Sequence, residues 1–464
     1  MKRMYFAALV FMLIQGALWA QTGTDPAQFQ KPKLVLDLDE CIRLALERNP
    51  DFIMARQEVQ MKEAAAASAY GRFFPSIDFQ SRMTILDPTT VNDSKGTIPI
   101  GTTPITFQTV YSPLFTMGFT ASYAIPGIPF FSDGAWGMVN AAHDLTLKDL
   151  GVTKNKLEKT KRDTKAMISK AFYQLKLSEL MYTLTKANDE RLGAYLDVAQ
   201  RNYNAGRISQ YELLRAQVQL ANNQPELLRA ENSARLARVA LLQKLSLDLN
   251  LDLETKGELR VDYVQISEEK AVATALTNRS ELQDIALSVE VLKLQEKMSK
   301  YGTRPQLAAF ANFNWELKKK GSLFAQGDRQ LYNNWTAGAQ ISIPISELLN
   351  PASTSWKGTA QYEHGVERAG TMQRNVESLI QLEIRQNVLL LEENRKTIDA
   401  QRTAMSLSTE GLRVARIAYN AGQVGNVELM DAELDFQRAQ LMEYQAWYGY
   451  IAARIDLLNA MGVL

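Results

Sequence analysis

The one constellation of chemically active side chains in this sequence is a pair of carboxylates, Glu428 and Asp431, three positions apart and so on one face of a helix. Alone, such a pair describes a wet helix face. It becomes a cation-binding feature only where several copies converge and gather their charges around a narrow axis. The remaining inventory argues against an enzyme. Two histidines, His143 and His364, sit in polar helical patterns, and the single Cys41 is flanked by Ile42, Leu44 and Leu46 as a packed thiol would be. With no Cys or His partner at ligand spacing, neither a zinc site nor a nucleophile triad can be assembled, and no metal or cofactor is expected.

The acidic pair follows a motif that occurs twice. Tyr203-Asn204-Ala205-Gly206 with Glu212-Leu213-Leu214 and Ala216 is repeated as Tyr419-Asn420-Ala421-Gly422 with Glu428-Leu429-Met430 and Ala432, at an offset of 216. Arg238, Leu241 and Leu242 match Arg454, Leu457 and Leu458 at the same offset. Upstream, Ala45-Leu46 and Pro75 match Ala275-Leu276 and Pro305 at an offset of 230. Copies of this length are a duplicated domain half, far longer than the ~20–50 residues of a solenoid unit.

Each copy reads as helix, strand, loop, strand, very long helix, reversal, long helix. The expected layout is a signal peptide at 1–20, an extended segment at 21–36, a first repeat at 37–250, an inter-repeat segment at 251–266 and a second repeat at 267–464. Within the first repeat, helices are expected at 37–70, strands at 76–86 and 114–125, and a helical hairpin at 136–250 with its tip at 204–210. The second has helices at 267–301, strands at 306–317 and 333–344, and a hairpin at 355–463 with its tip at 420–426. Asn49 is placed to cap a helix carrying Pro50 in its first turn. No proline lies between Pro129 and Pro225 or after Pro351, so each long helix can run unbroken for roughly 100 Å. Narrow apolar stripes such as Ile384, Val388, Leu391 and Ile398 bury only a seam. The Asn-Ala-Gly turns end the long helices, and Asp252–Gln265 reads as a small extended patch.

The N-terminus, Met1-Lys2-Arg3 followed by an apolar run to Ile14 and by Gly16-Ala17-Leu18-Trp19-Ala20, reads as an export signal cleaved after Ala20; an uncleaved anchor is the alternative. No Cys follows the run, so lipoprotein processing is unsupported. No other segment approaches the ~18 apolar residues of a membrane helix. The net charge of +1 is dispersed, which excludes a nucleic-acid footprint, and Lys318-Lys319-Lys320 reads as a solvated loop end.

Four segments alternate strictly. Ile77, Phe79, Met83 and Ile85 face one way, against Asp78, Gln80, Arg82 and Thr84; the segments at Phe115–Ile125, Leu307–Trp315 and Trp335–Ile343 do likewise. Their length and aromatic content fit transmembrane β-strands; a half-buried sheet in a soluble protein fits the alternation equally. The stretches Asp87–Pro113 and Lys318–Asn334 between them read as exposed loops. Four strands cannot close a membrane barrel, so several chains must contribute.

In its order and in the motifs Ala45-Leu46-x-x-Asn49-Pro50, Tyr203-x-Ala205-Gly206-x-x-Ser209 and Tyr419-x-Ala421-Gly422 with Glu428-Leu429-x-Asp431-Ala432, the chain resembles the TolC-like outer-membrane efflux protein family. The resemblance implies an α+β membrane protein. Long antiparallel helical hairpins would form a periplasmic α-barrel, and four strands per chain would join a homotrimeric, 12-stranded barrel in outer-membrane lipid. It further implies passive export with a periplasmic adaptor and an inner-membrane pump, in tripartite efflux or type I secretion. Ala205, Gly206, Arg207, Ile208 and Ser209, with Ala421, Gly422, Gln423, Val424 and Gly425, would be adaptor-facing tips. Glu428 and Asp431 match the entrance carboxylates, where multivalent cations would block, and Glu212 and Tyr419 match gate-linking positions. The family's basic gate residue is missing at Val424, where Arg207 or Arg215 could substitute. A soluble periplasmic coiled-coil adaptor or scaffold is the competing reading.

Overall fold

The computed structural model describes residues 33–83, 96–100, 103–107, 112–126, 128, 133–319 and 329–464. The signal peptide, most of the 21–36 segment, Ile85 and Lys320 lie outside these residues. In chain order the elements are β1 (Lys33–Leu36), α1 (Leu38–Arg48), α2 (Pro50–Tyr70), β2 (Ser76–Met83), β3 (Gly96–Ile100), β4 (Thr103–Phe107), β5 (Ser112–Ala124), α3 (Asp133–Asn204), α4 (Gln210–Lys244), β6 (Asp252–Thr255), α5 (Glu268–Asn278), α6 (Ser280–Tyr301), β7 (Gln306–Lys319), β8 (Arg329–Ser342), α7 (Ile345–Leu349), α8 (Thr354–Asn420) and α9 (Asn426–Ala460). They form two compact units, residues up to Leu44 with Ala171–Leu259, and Ala45–Lys170 with Arg260–Leu464.

In the first unit, β1 pairs in parallel with β6, from Lys33 opposite Asp252 to Leu36 opposite Thr255. Only Asp252–Thr255 of the expected inter-repeat patch is strand, because Leu253 and Thr255 alternate into a buried face while the following residues return no ladder. Arg238 of α4 ties Glu179 of α3 at 3.1 Å and Asp252 at 4.0 Å. Pro225 lies inside α4, where it forfeits one helical hydrogen bond. Two residues earlier Asn223 accepts from Asn188 at 3.0 Å and donates to Asp189 at 2.8 Å, so a polar clasp joins the two helices beside that defect.

Cys41 of this unit is fully buried. Burial, with the negative charges of Asp37 and Glu40 adding to it, pushes its thiol up to about 12. The thiolate population at neutral pH falls roughly a thousandfold, and with it reactivity. Folded protein is therefore expected to resist maleimide and to take up one equivalent only after denaturation; mass spectrometry of the treated protein checks this.

In the second unit, Asn49 caps α2 by accepting from Asp51 N at 2.9 Å and Phe52 N at 3.4 Å, so the expected 37–70 helical region is two helices. The 267–301 region breaks likewise at Arg279, whose extended backbone ends α5. Its side chain crosses to α8 and α9, pairing with Glu383 at 2.7 Å and donating to the Ala460 carbonyl at 2.9 Å. The stripe Ile380, Ile384, Val388, Leu391 and Ile398 on α8 packs against Ala446, Tyr450, Ala453 and Leu457 on α9 and Ala271 and Ala275 on α5. The buried Tyr450 hydroxyl accepts from Val264 N at 3.0 Å, so its one polar atom is satisfied. His143 departs from the polar-helix expectation: it sits against the rings of Tyr70 and Phe73, 6.0 and 5.5 Å away.

The sheet of this unit has the order β2-β5-β7-β8, every neighbour antiparallel. Its register aligns side chains in rows across all four strands. Ile77, Ala121, Ala311 and Ala337 form one row; Phe79, Phe119, Phe313 and Trp335 form the next; Met83, Phe115, Leu317 and Leu331 lie further out. The intervening rows, Asp78, Thr120, Asn312 and Thr336, then Gln80, Gly118, Asn314 and Asn334, belong to the opposite face. The sheet is thus apolar on one side and polar on the other, and on the apolar side Ile77, Phe79 and Trp335 are 71, 58 and 74% exposed. From Leu307 to Leu317 the apolar column runs about 33 Å along the strand, which at a barrel tilt of ~40° spans about 25 Å.

Several boundaries differ from the sequence reading. β8 runs from Arg329 to Ser342, earlier at both ends than 333–344, because Pro344 has no N–H for the ladder and α7 follows. β7 extends through Lys318 and Lys319, which pair with Gln330 and Arg329 instead of lying in a loop. Part of the Asp87–Pro113 stretch is an antiparallel hairpin, β3 and β4, paired from Gly96 opposite Phe107 to Ile100 opposite Thr103.

Candidate functional site

The reversal in each unit is built the same way. In the first, α3 ends in a turn where Gly206 N donates to Tyr203 O at 2.8 Å and Arg207 N to Asn202 O at 2.8 Å. That hydrogen-bond pair is a Schellman cap, and it holds Gly206 at φ +71°. In the second, Gly422 N donates to Tyr419 O at 3.0 Å and Gln423 N to Ala418 O at 2.9 Å, with Gly422 at φ +70°. The duplicated Tyr-Asn-Ala-Gly is therefore a backbone device: it reverses the chain within a few residues and leaves Ala205, Gly206, Arg207 and Ser209, and Ala421, Gly422, Gln423 and Gly425, exposed.

The return helix starts from a local signal that the motif match hid. Ser209 is the N-cap of α4, its hydroxyl accepting from Glu212 N at 3.3 Å. Glu212 stands in the first turn of α4 at the Ser-x-x-Glu spacing of a capping box, of which the Ser209 half is formed, so it belongs to the helix start as well as to the tip. Ile208, just before the cap, packs with Leu213, Ala199 and Ala216 and staples the turn shut. The second tip has Gly425 at the cap and Glu428 three residues on. The Glu428 carboxylate folds back to within 3.0 Å of where a Gly425 Cβ would stand, beside the positive end of the helix. Val424, half-buried, takes the position of Ile208.

Glu428 and Asp431 are both exposed on the first two turns of α9, and Tyr419 is half-buried on the last turn of α8. Glu212 is exposed at the equivalent helix-start position of the other hairpin. Arg416 of α8 reaches across its hairpin to Glu433 of α9 at 3.3 Å, a tie near the acidic pair that sequence reasoning missed because neither residue lies in the repeated motif. Arg413 is taken up by Glu410 through two hydrogen bonds of 2.6 and 2.8 Å, which hold that carboxyl below its usual range. Among the described residues no cluster of His, Cys, Asp or Glu is arranged to hold a metal ion. No described helix is long and apolar enough to cross a membrane.

Two helical hairpins with exposed turns, on a chain that also supplies a one-faced apolar four-stranded sheet, make up a fold shared with solved outer-membrane channels. The Campylobacter jejuni CmeC outer membrane channel superposes with a TM-score of 0.73 at 15% identity, covering 92% of this chain and 85% of that one. The outer membrane protein VceC of Vibrio cholerae gives 0.69 at 16% over 92% and 96%, and the open state of the Neisseria gonorrhoeae MtrE channel 0.66 at 16% over 92% and 89%. The comparison with curated proteins returned no match. Residues 41–246 match the model of the family described as outer membrane efflux protein. The chain is thus similar to outer-membrane efflux proteins over residues 41–246, and it shares the fold of these solved channels.

Proposed function

We propose that three copies of this chain form the exit duct of an export assembly, passing substrates handed over by a periplasmic adaptor and an inner-membrane pump through the outer membrane without covalent chemistry. The observation that carries this reading is the sheet with two open edges. Its strands alternate in direction from β2 to β8, so β8 of one copy meets β2 of the next antiparallel, and the ladder continues without a break. An open edge in lipid would leave its N–H and C=O groups unpaired at several kcal/mol each. Cyclic closure removes that cost, and twelve strands enclose a lumen lined by the polar rows of Asn312, Asn314, Thr336 and Asn334.

Under this reading the exposed turns around Gly206 and Gly422 are the adaptor contacts. Threefold symmetry gathers Glu428 and Asp431 into a ring of six carboxylates that binds multivalent cations at the periplasmic entrance. Tyr419 and Glu212 hold gate-linking positions in the resting state. Density fractionation of cell envelopes, followed by mild detergent extraction, tests the core of the proposal: the protein is expected in outer-membrane fractions as a trimer, and recovery as a detergent-independent periplasmic monomer refutes it in favour of a soluble scaffold.

A further inference from the structure

We propose that α7, with Ile343 before it and Trp356 after it, is an interfacial anchor that lies against phospholipid acyl chains in the periplasmic leaflet of the outer membrane; this rests on the reading of the sheet as membrane-spanning. The argument begins with alternation. The column Leu331, Trp335, Ile341 on the apolar face of β8 is exposed throughout, and its next member, Ile343, is 52% exposed although the strand has ended. Pro344 then breaks the ladder, and the chain turns into the single helical turn that carries Ile345, Leu348 and Leu349, exposed at 60, 49 and 73%.

Spacing of i, i+3 and i+4 sets those three on one face, and the rotation of that face is fixed by the other side. Glu347 is half-buried against the start of α8: its carboxylate accepts from Ser355 N at 3.2 Å, and its carbonyl accepts from Ser353 Oγ at 3.1 Å. Asn350 closes the turn by accepting from Ala352 N at 2.9 Å. The polar side chain is thus pinned inward and the three aliphatics are held outward. Trp356, 52% exposed one turn into α8, adds the ring that favours a membrane–water boundary.

Three large aliphatic side chains exposed on one face of a single turn mark an interaction surface, where scattered exposed leucines would need no explanation. Its continuity with the lipid-facing column selects the occupant. A neighbouring copy meets β8 laterally, through its backbone edge, whereas this column projects perpendicular to the sheet. Apolar residues at the rim of a membrane band, backed by a polar face, are what an interfacial segment presents to headgroups and the first acyl carbons.

The test is nitroxide accessibility in full-length protein carrying Cys41→Ser and reconstituted in phosphatidylethanolamine/phosphatidylglycerol vesicles. A label on Leu349→Cys is expected to collide several-fold more with oxygen than with a water-soluble nickel chelate, resembling a label on Ala337→Cys and opposite to one on Gln224→Cys in the long hairpin. Ile345→Cys repeats the measurement if the first variant folds poorly. Adding Glu347→Ala should unpin the turn and lower the oxygen preference at Leu349 while leaving Ala337 unchanged. A nickel-accessible Leu349 beside an oxygen-preferring Ala337 overturns the anchor and leaves the barrel standing. A Leu349 label shielded from both reagents assigns the patch to a neighbouring copy and also overturns it. Nickel access at both sites means instead that the sheet itself does not span the membrane.

Discussion

Gly206→Val and Gly422→Val are each expected to cut export about tenfold or more while the protein still reaches the outer membrane as an assembled trimer. Both glycines hold φ near +70°, a region that costs a β-branched residue about 1–3 kcal/mol, and an added Cβ at either would meet nothing within 4 Å. The penalty is therefore backbone strain and not a clash, and relieving it means opening the Schellman turn. Since about 1.4 kcal/mol is a factor of ten in an equilibrium, strain of that size is enough to depopulate the turn that the adaptor is proposed to meet. Asn tolerates the left-handed region, so Gly206→Asn and Gly422→Asn should retain most export. Export of a fluorescent substrate, read beside adaptor crosslinking, checks the pair. Equal activity of the Val and Asn variants would remove the tips from the adaptor assignment.

Covalent closure between copies is the second large effect. With Cys41 replaced by Ser, a cysteine at Gln80 on β2 is to be combined in turn with one at Asn334, Thr336 or Gln340 on β8, all on the polar face of the sheet. Within one chain β5 and β7 separate these edges, so a disulfide, whose Cα atoms must come within about 7 Å, has to join two copies. At least one of the three registers is expected to give, on oxidation, a ladder ending at the covalent trimer on a denaturing gel. Failure of all three to crosslink between chains would mean that these edges do not meet.

What the sequence revealed was whatever rests on periodicity. Two-residue alternation located the four strands, and the absence of proline located helices of 72 and 67 residues. The tip glycines were legible because their conformation has one cheap residue, and the duplication displayed it twice. Long-range pairing was not legible in the same way. Nothing local in Lys33–Leu36 says that it pairs with Asp252–Thr255 more than two hundred residues on, or that β5 pairs with β7 and so joins the hairpins of the two repeats. Pro225 is a local exception that the expected 136–250 hairpin ran through: α4 carries it in its interior, with the Asn188–Asn223–Asp189 clasp alongside. At the tips, comparison of motifs found Glu212 and Glu428 but concealed their shared local role, which Ser209-x-x-Glu212 states openly as a helix start.

Single-channel recording in planar bilayers tests the central claim most directly. Purified trimer is expected to insert with discrete conductance steps that millimolar multivalent cations suppress from the helical-tip side. Glu428→Gln combined with Asp431→Asn should weaken that block while conductance remains, because the carboxylates line the path and do not build it. Protein that inserts no conducting unit would contradict the channel account itself, and steps blocked equally in wild type and double variant would move the entrance away from these acids.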